Sequence, residues 1–450
     1  MRLPALALLV VSIAGADTGE DEARARARVR ALESELEEVI ARVAPAVGAV
    51  TRFGVQIDPA TGRVAIVPAG QGSGLIITRE GLLLTNVHVV EDGARLTVAL
   101  NDGTVHEARL HADTSEGQVK GDIALVQLDG DRFPFVDWQK GSSSALKPGD
   151  FVFAMGNPYG HAEDGVPVAT LGIVSGKGRS PSEAGYLYID ALQTDAEINP
   201  GNSGGPLFDS SGRLVGMNGL MASRQGGSNS GVGWAIPIDQ MRLFLKDLTK
   251  KRAEGVAYGY LGLEVESLPD ESGVKVTRRL QGCPAPRIER GAVITTVNGK
   301  KVRNRTDFVN LVGKLPERAV VTLAYYEGRT FRTTRFRLGS YAEVAARREG
   351  SGERKPLSPS RRGYLGAQWE MTHAGLRITH TTAGTAAEEE LRPGDFLKKL
   401  DDRDVGSPKG LLEALALYAA GEGVMLEIVR DGKGTFVHLS LCDAQEAAGG

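Results

Sequence analysis

The sequence predicts a mostly β protein, an antiparallel sandwich or barrel followed by two copies of a smaller α+β unit. Three observations carry this. From about Val47 to Pro237 the chain runs as short apolar or alternating stretches, such as "GLIIT", "GLLLTN", "RLTVAL", "DIALVQL" and "GVGWAIP", separated by Gly, Asp and Asn turns. Many short strands at near-regular spacing indicate a sandwich or barrel. The 450 residues include 58 glycines and 20 prolines with only 6% aromatics, a balance that punctuates strands rather than helices. Finally, residues 258–338 and 363–442 open with one tetrapeptide, Gly259-Tyr260-Leu261-Gly262 and Gly363-Tyr364-Leu365-Gly366. Each continues as strand, turn-and-strand, helix and closing strands, the mark of an internal repeat.

Taken in order, the chain begins with Met1-Arg2, the apolar run "LPALALLVVSIAGA" and polar "DTGEDE". A positive start, a short apolar core and a small-x-small end at Ala14-Gly15-Ala16 predict an export signal over residues 1–16, cut after Ala16. The run is short for an uncleaved anchor, which needs about 20 apolar residues. The mature protein is therefore expected to be soluble and periplasmic or secreted. Residues 20–44 predict a helix whose Val29, Leu32, Leu36, Val39 and Val43 repeat with 3-4-3-4 spacing. Pro45 ends it. This seam suits docking on its own domain or on a neighbouring subunit equally. After the strand-rich region, Ile238, Met241, Leu245 and Leu248 predict an amphipathic closing helix, and "KKRAEG" a linker. Between the repeats, "AARREGSGERKPLSPSRR" reads as a flexible tether.

Length alone implies roughly two to four domains. A net charge of −3 from 53 basic and 56 acidic residues, with no basic stripe, gives no field for nucleic acid. The two cysteines, Cys283 and Cys442, fall in different repeats and are expected as free, buried thiols rather than a disulfide framework. The motif "HEARLH" sets its histidines five apart; on a helix they would face different sides, so no metal site is expected there.

The stretch "TDAEINPGNSGGPLFDSSG" places Ser203 between Gly201 and the pair Gly204-Gly205. It is a surface turn or the bend of a nucleophile, and a nucleophilic serine needs a base and an acid to orient that base. Gly201-x-Ser203-x-Gly205 satisfies the nucleophile-elbow pattern, but Pro206 and another strand follow instead of a helix, so that context fails. Upstream, His88 lies in "GLLLTNVHVVEDG" where an apolar strand ends, and Asp122 heads "GDIALVQLD". Singly, such a His is more often a core residue and such an Asp a turn residue. Together, in the order His, Asp, Ser on an all-β region, they give the chymotrypsin order of triad residues.

The blocks "QGSGLIITREGLLLTNVHVV", "GDIALVQL", "FAMGNPYG", "GIVSGKGRS" and "QTDAEINPGNSGGPLFDSSGRLVGMN" resemble, in order, those of the HtrA (Deg) serine proteases. The two repeats resemble the PDZ domains of the DegP-like branch. The resemblance implies a chymotrypsin-like double β-barrel protease domain over 45–250 after an N-terminal helix at 17–44. It also implies PDZ domains at 258–340 and 363–443, joined by a linker at 341–362. It casts His88, Asp122 and Ser203 as the triad and the loop Gly201-Asn202-Ser203 as the oxyanion hole. Ile198, Asn218, Gly219 and Leu220 would contact substrate, and Arg179 would transmit an activating signal. The loops at 180–187, 195–202 and 222–231 would order or disorder the site. Tyr260, Leu261 and Gly262, with Tyr364, Leu365 and Gly366, would capture C-terminal carboxylates. Glu197, near the pocket base, is expected to point away, because a buried unpaired carboxylate is costly. The first repeat is irregular, with Pro284 and Pro286 in place of a short helix and Ala292 in place of an acid. The second keeps "RPGDF" and is the safer peptide binder.

The expectation is an exported, ATP-independent, cofactor-free endoprotease acting on unfolded or misfolded polypeptides, assembled as a trimer or its multiples. The alternative is a non-proteolytic chaperone or peptide-binding scaffold with a defunct barrel. The complete His88, Asp122 and Ser203 set argues against it.

Overall fold

The structure is a computed structural model describing residues 19–115, 121–157, 166–183, 186–223, 229–250, 256–279, 283–285, 288–340, 357, 362–400, 403–421 and 423–448. The predicted signal, residues 224–228 of the glycine-rich loop, Pro286 and nearly all of the tether lie outside these residues. No helix among them is long and apolar enough to cross a membrane.

Helix α1 (Gly19–Val43) ends in a single tight turn, Ala44–Ala46, that holds Pro45. Its Val39 and Val43 are buried, whereas Val29 and Leu32 are exposed. The last turns dock on the chain's own barrel, where Arg42 Nη2 donates to Ser211 O at 2.9 Å.

Two closed barrels follow. The first comprises β1 (Val47–Ile57), β2 (Val64–Ile76), β3 (Leu82–Thr85), β4 (Arg95–Ala99), β5 (Val105–Asp113) and β6 (Ala124–Leu128), hydrogen-bonded in the order β1-β2-β3-β6-β5-β4. One helical turn, α2 (Val87–Val90), interrupts the path between β3 and β4. The second comprises β7 (Phe151–Gly156), β8 (Val168–Arg179), β11 (Ala191–Thr194), β12 (Pro206–Asp209), β13 (Leu214–Ser223) and β14 (Asn229–Pro237). Its order is β11-β14-β13-β12-β7-β8, with a short ribbon of β9 (Ser182–Glu183) and β10 (Tyr186–Leu187) between β8 and β11. Closure removes the free edges an open sheet would expose. Interior space is tight. A Cβ added at Gly74 would lie 2.1 Å from Leu83 Cδ2. Helix α3 (Ile238–Leu248) closes the region by burying Met241, Phe244, Leu245 and Leu248. "HEARLH" lies on β5 rather than on a helix, and a register shift between Leu110 and Ala112 sets His111 at an irregularity of that strand.

The two repeats share one strand order. The first has β15 (Gly259–Tyr260), β16 (Leu263–Ser267), β17 (Val274–Arg279), β18 (Val293–Val297), β19 (Lys300–Lys301), α4 (Arg305–Val312), β20 (Val320–Glu327), β21 (Thr330–Arg337) and β22 (Gly339–Ser340). The second has β23 (Ala367–Thr372), β24 (Gly375–Thr381), α5 (Ala386–Glu390), β25 (Phe396–Leu400), β26 (Arg403–Asp404), α6 (Pro408–Leu415), β27 (Gly423–Arg430), β28 (Lys433–Ser440) and α7 (Ala444–Ala447). Their sheets run β16-β17-β18-β20-β21 and β23-β24-β25-β27-β28. Both cysteines are free thiols; Cys442 is buried as expected, but Cys283 is only half-buried.

Candidate active site

The cleft between the barrels gathers residues that are remote in sequence. β3 delivers Thr85 and Asn86 to the rim, and the turn of α2 then lifts His88 out of the core beside buried Val87 and Val89. Asp122 precedes β6, the strand paired to β3, so register alone sets the two side by side. Asn86 Nδ2 donates to Asp122 O at 2.9 Å, and His88 N donates to Asp122 Oδ1 at 3.1 Å. His88 Nδ1 lies 2.8 Å from Asp122 Oδ2. The carboxylate is completely buried while the imidazole is 28% exposed. That arrangement fixes the proton on Nδ1 and turns Nε2 outward.

Ser203 sits on the tight loop joining β11 to β12. Gly201 and Gly204 adopt φ of 102° and 82°, a region open to glycine and strained for other residues. Any side chain at Gly204 would strike Ser73 O and Thr85 Oγ1, both at 2.2 Å. The loop is tied to the first barrel: Ser73 N donates to Ser203 O at 2.8 Å, and Ser73 Oγ to Gly201 O at 2.6 Å. Thr85 Oγ1 in turn donates to Ser73 O at 2.7 Å. Among the described residues the N–H groups of Gly201 and Ser203 have no backbone acceptor. The N–H of Asn202 is taken by Asn199 O at 2.9 Å, and its side chain is buried.

The hydroxyl of Ser203 donates to Gly219 O at 3.0 Å. No hydrogen bond joins it to His88. The dyad is formed and the nucleophile is parked on a neighbouring carbonyl.

The remaining expected residues are placed as follows. Asn218 is buried with both backbone groups engaged by the nucleophile loop, Gly204 N donating to its O and its own N to Gly205 O. Its side-chain amide donates to Pro206 O at 3.0 Å. Ile198 is buried over Gly233, and Leu220 is buried on β13. Glu197 is exposed, its carboxylate accepting from Asn199 Nδ2 at 3.1 Å. Arg179 is exposed at the end of β8, in register with Ala191. In the repeats, Leu261 and Leu365 are buried, while Gly262 and Gly366 take φ of 70° and 67°. Tyr260 pairs with Gly339 and Tyr364 with Cys442.

Two tyrosines that sequence reasoning passed over flank the dyad. Tyr188 donates its hydroxyl to Asp122 Oδ2. The Tyr186 ring lies 5.7 Å from that of His88, and its hydroxyl donates to Glu91 Oε1. Burial pushes both phenols up from their ordinary range, and the Asp122 charge adds to this at Tyr188.

Residues 72–217 match the family model of the trypsin-like peptidase domain, and residues 363–441 that of the PDZ domain. A probable periplasmic serine endoprotease, DegP-like, from Pseudomonas putida is 32% identical over 396 residues, spanning 83% of this chain and 79% of the relative. The chain belongs to the HtrA (Deg) family. It is a serine endopeptidase. Among solved HtrA structures, the HtrA-type protease AlgW with a decapeptide matches at a TM-score of 0.53 and 27% identity, covering 68% of this chain and 98% of that one. AlgW with a tripeptide matches at 0.54 and 28% identity, covering 68% and 96%.

Proposed function

We propose that this HtrA protease cleaves unfolded or misfolded polypeptides outside the cytoplasm by acyl transfer through Ser203, with His88 as general base and then acid and Asp122 as its orienting group. Ser203 Oγ attacks the scissile carbonyl carbon as His88 Nε2 takes its proton. The developing oxyanion is met by the N–H groups of Gly201 and Ser203. Collapse breaks the C–N bond, and His88 returns the proton to the leaving amine. Water, deprotonated by the same imidazole, then releases the acyl group. The single observation that carries this reading is the His88–Asp122 bond of 2.8 Å around a fully buried carboxylate, opposite a glycine-bent serine. Loss of one oxyanion donor typically costs about 2.7–4 kcal/mol of transition-state stabilisation, so small movements of the Gly201 loop switch the rate.

The hydroxyl on Gly219 O supports a resting state in which substrate or an effector must turn Ser203 toward His88. Arg179 and the loops at 180–187, 195–202 and 222–231 are the proposed levers. Ile198, Gly219 and Leu220 would shape an apolar primary pocket, with Asn218 holding the wall behind the nucleophile. The two repeats, one matched by the PDZ model and one of identical strand order, bind peptide C-termini through their Gly-Tyr-Leu-Gly loops. Export by the signal over 1–16, periplasmic location and assembly as a trimer or its multiples belong to this reading. It is supported by the DegP-like relative, which is named periplasmic.

The test is casein hydrolysis by the wild type and by Ser203→Ala. Removing the nucleophile of a comparable triad costs on the order of 10⁶ in kcat. Equal rates in the two proteins remove Ser203 from the chemistry. Sedimentation of the purified protein with and without casein reads the assembly.

A further inference from the structure

Asp122 carries more than a histidine. Its carboxylate is wholly buried and receives His88 N on Oδ1, and both His88 Nδ1 and the Tyr188 hydroxyl on Oδ2. Tyr188 is 1% exposed. It comes from the segment between β10 and β11, on the second-barrel side of the cleft, so its hydroxyl reaches across to the acid that heads β6. Gly219 makes room for it. A Cβ at Gly219 would lie 1.8 Å from Tyr188 Oη. The carbonyl of that same Gly219 holds Ser203 Oγ at 3.0 Å.

We propose that Tyr188 is a positioning residue for the reaction, its hydroxyl locking the Asp122 carboxylate in the one rotamer that presents Oδ2 to His88 Nδ1. A planar carboxylate with donors on both oxygens from a single backbone turn can still rock about its Cβ–Cγ bond. A third donor from the opposite barrel removes that freedom. Hydrogen bonds to an ionised acceptor in a dry site are short and strong, and an acceptor left unmatched there carries its full desolvation cost. Because burial and the Asp122 charge both oppose ionisation of the phenol, it stays a donor throughout the working pH range and does not compete with His88 as a base. Position 219 then serves twice: its lack of a side chain clears the phenol, and its carbonyl holds the resting nucleophile. The inference rests on the triad reading above.

The titratable groups around the dyad are Tyr186 and Tyr188, Glu91 and Asp92 after α2, and Tyr258 at the head of the first repeat. None of them changes in Tyr188→Phe except the tested hydroxyl. In full-length protein this variant should lower kcat about tenfold or more, the loss of one charge-assisted hydrogen bond, with KM nearly unchanged. The acid limb of kcat/KM should move to higher pH, because a less neutralised carboxylate holds the imidazolium proton more tightly. In an Asp122→Asn background the same change should do nothing further. Difluorotyrosine at position 188, a stronger donor of the same shape, should move the acid limb the opposite way; it also covers the case in which Tyr188→Phe fails to fold. Wild-type kcat and acid limb in both variants, with Ser203→Ala inactive, overturns the role of Tyr188 alone. Wild-type activity in Ser203→Ala and Asp122→Asn overturns the triad reading instead.

Discussion

The two repeats share a strand order but meet the barrels by different edges. The first uses the end of its helix: Asn310 Nδ2 donates to Gly178 O at 3.2 Å, Ser180 Oγ donates to Asn310 Oδ1 at 2.8 Å, and Lys314 pairs with Asp190. Its edge strand β16 pairs with no strand but β17 among the described residues. The second uses its edge strand. Trp369 N on β23 donates to Thr61 O, at the tip of the β1–β2 hairpin, over 2.5 Å. Pro59 of the same tip lines a groove of about 730 Å³ with Arg362, the α6 residues Lys409 and Leu412, and Ala416 just after that helix. A peptide added to a sheet edge needs that edge unpaired. The more regular repeat therefore starts with its edge engaged, and the edge of the irregular repeat takes no second strand among the described residues.

A second contrast lies inside the repeats. Asp395 is 2% exposed and pairs with Arg430, whose Nη2 stands 2.7 Å away and whose Nε also donates to it. The matching positions in the first repeat, just before β18 and at the end of β20, carry Ala292 and Glu327, and Glu327 pairs with Arg332. Both members of the pair differ together, as expected when removing one alone would strand a charge.

The sharpest way to break the comparison is Asp395→Ala. It leaves Arg430 without its carboxylate, and breaking a buried pair in this way costs about 3 kcal/mol or more. Trp369 is the one tryptophan of the second repeat, and the variant's tryptophan fluorescence in denaturant should show an early transition from that unit. A single transition at the wild-type midpoint would mean the pair is not what holds it.

Next in size is release of the hairpin. Gly62 has φ of 70°, and a Cβ there would lie 2.3 Å from the Trp369 ring. Gly62→Val should dislodge the tip and raise affinity for an apolar C-terminal peptide about tenfold, the worth of one backbone bond with its packing. Calorimetric titration of the full chain reads this. Unchanged affinity would show that the edge is open in solution. Smaller again is Lys314→Ala, which frees the first repeat from Asp190, two residues after Tyr188. A partly exposed pair is worth about 1 kcal/mol, so casein hydrolysis should change no more than about fivefold, and less at high salt. No change at any ionic strength would separate that repeat from the active site.

How much of this was legible follows from the range of each signal. Strands, repeats and the order His88, Asp122, Ser203 are written in local runs and short motifs. Ala292 opposite Asp395 is also visible, because the repeats align on their shared tetrapeptide. Tyr188 is not: "YLYIDAL" reads as a strand whose tyrosines fill a core, and nothing local says that one hydroxyl crosses to the other barrel. Thr61 and Trp369 are likewise far apart in sequence, and a backbone bond leaves no residue preference behind. The seam of α1 was half informative, since Val39 and Val43 bury themselves while Val29 and Leu32 do not.

The smallest expected effect is the most exacting test. Building the missing pair into the first repeat with Ala292→Asp and Glu327→Arg should leave its stability within about 1 kcal/mol of wild type, because a buried ion pair and the packing it replaces roughly balance. Ala292→Asp by itself should be clearly worse, since the site is 3% exposed and the position matching Arg430 still carries the carboxylate of Glu327. A double variant as unstable as the single one would mean that the two repeats differ in backbone placement around this position. Their shared strand order would then conceal a structural divergence deeper than two side chains.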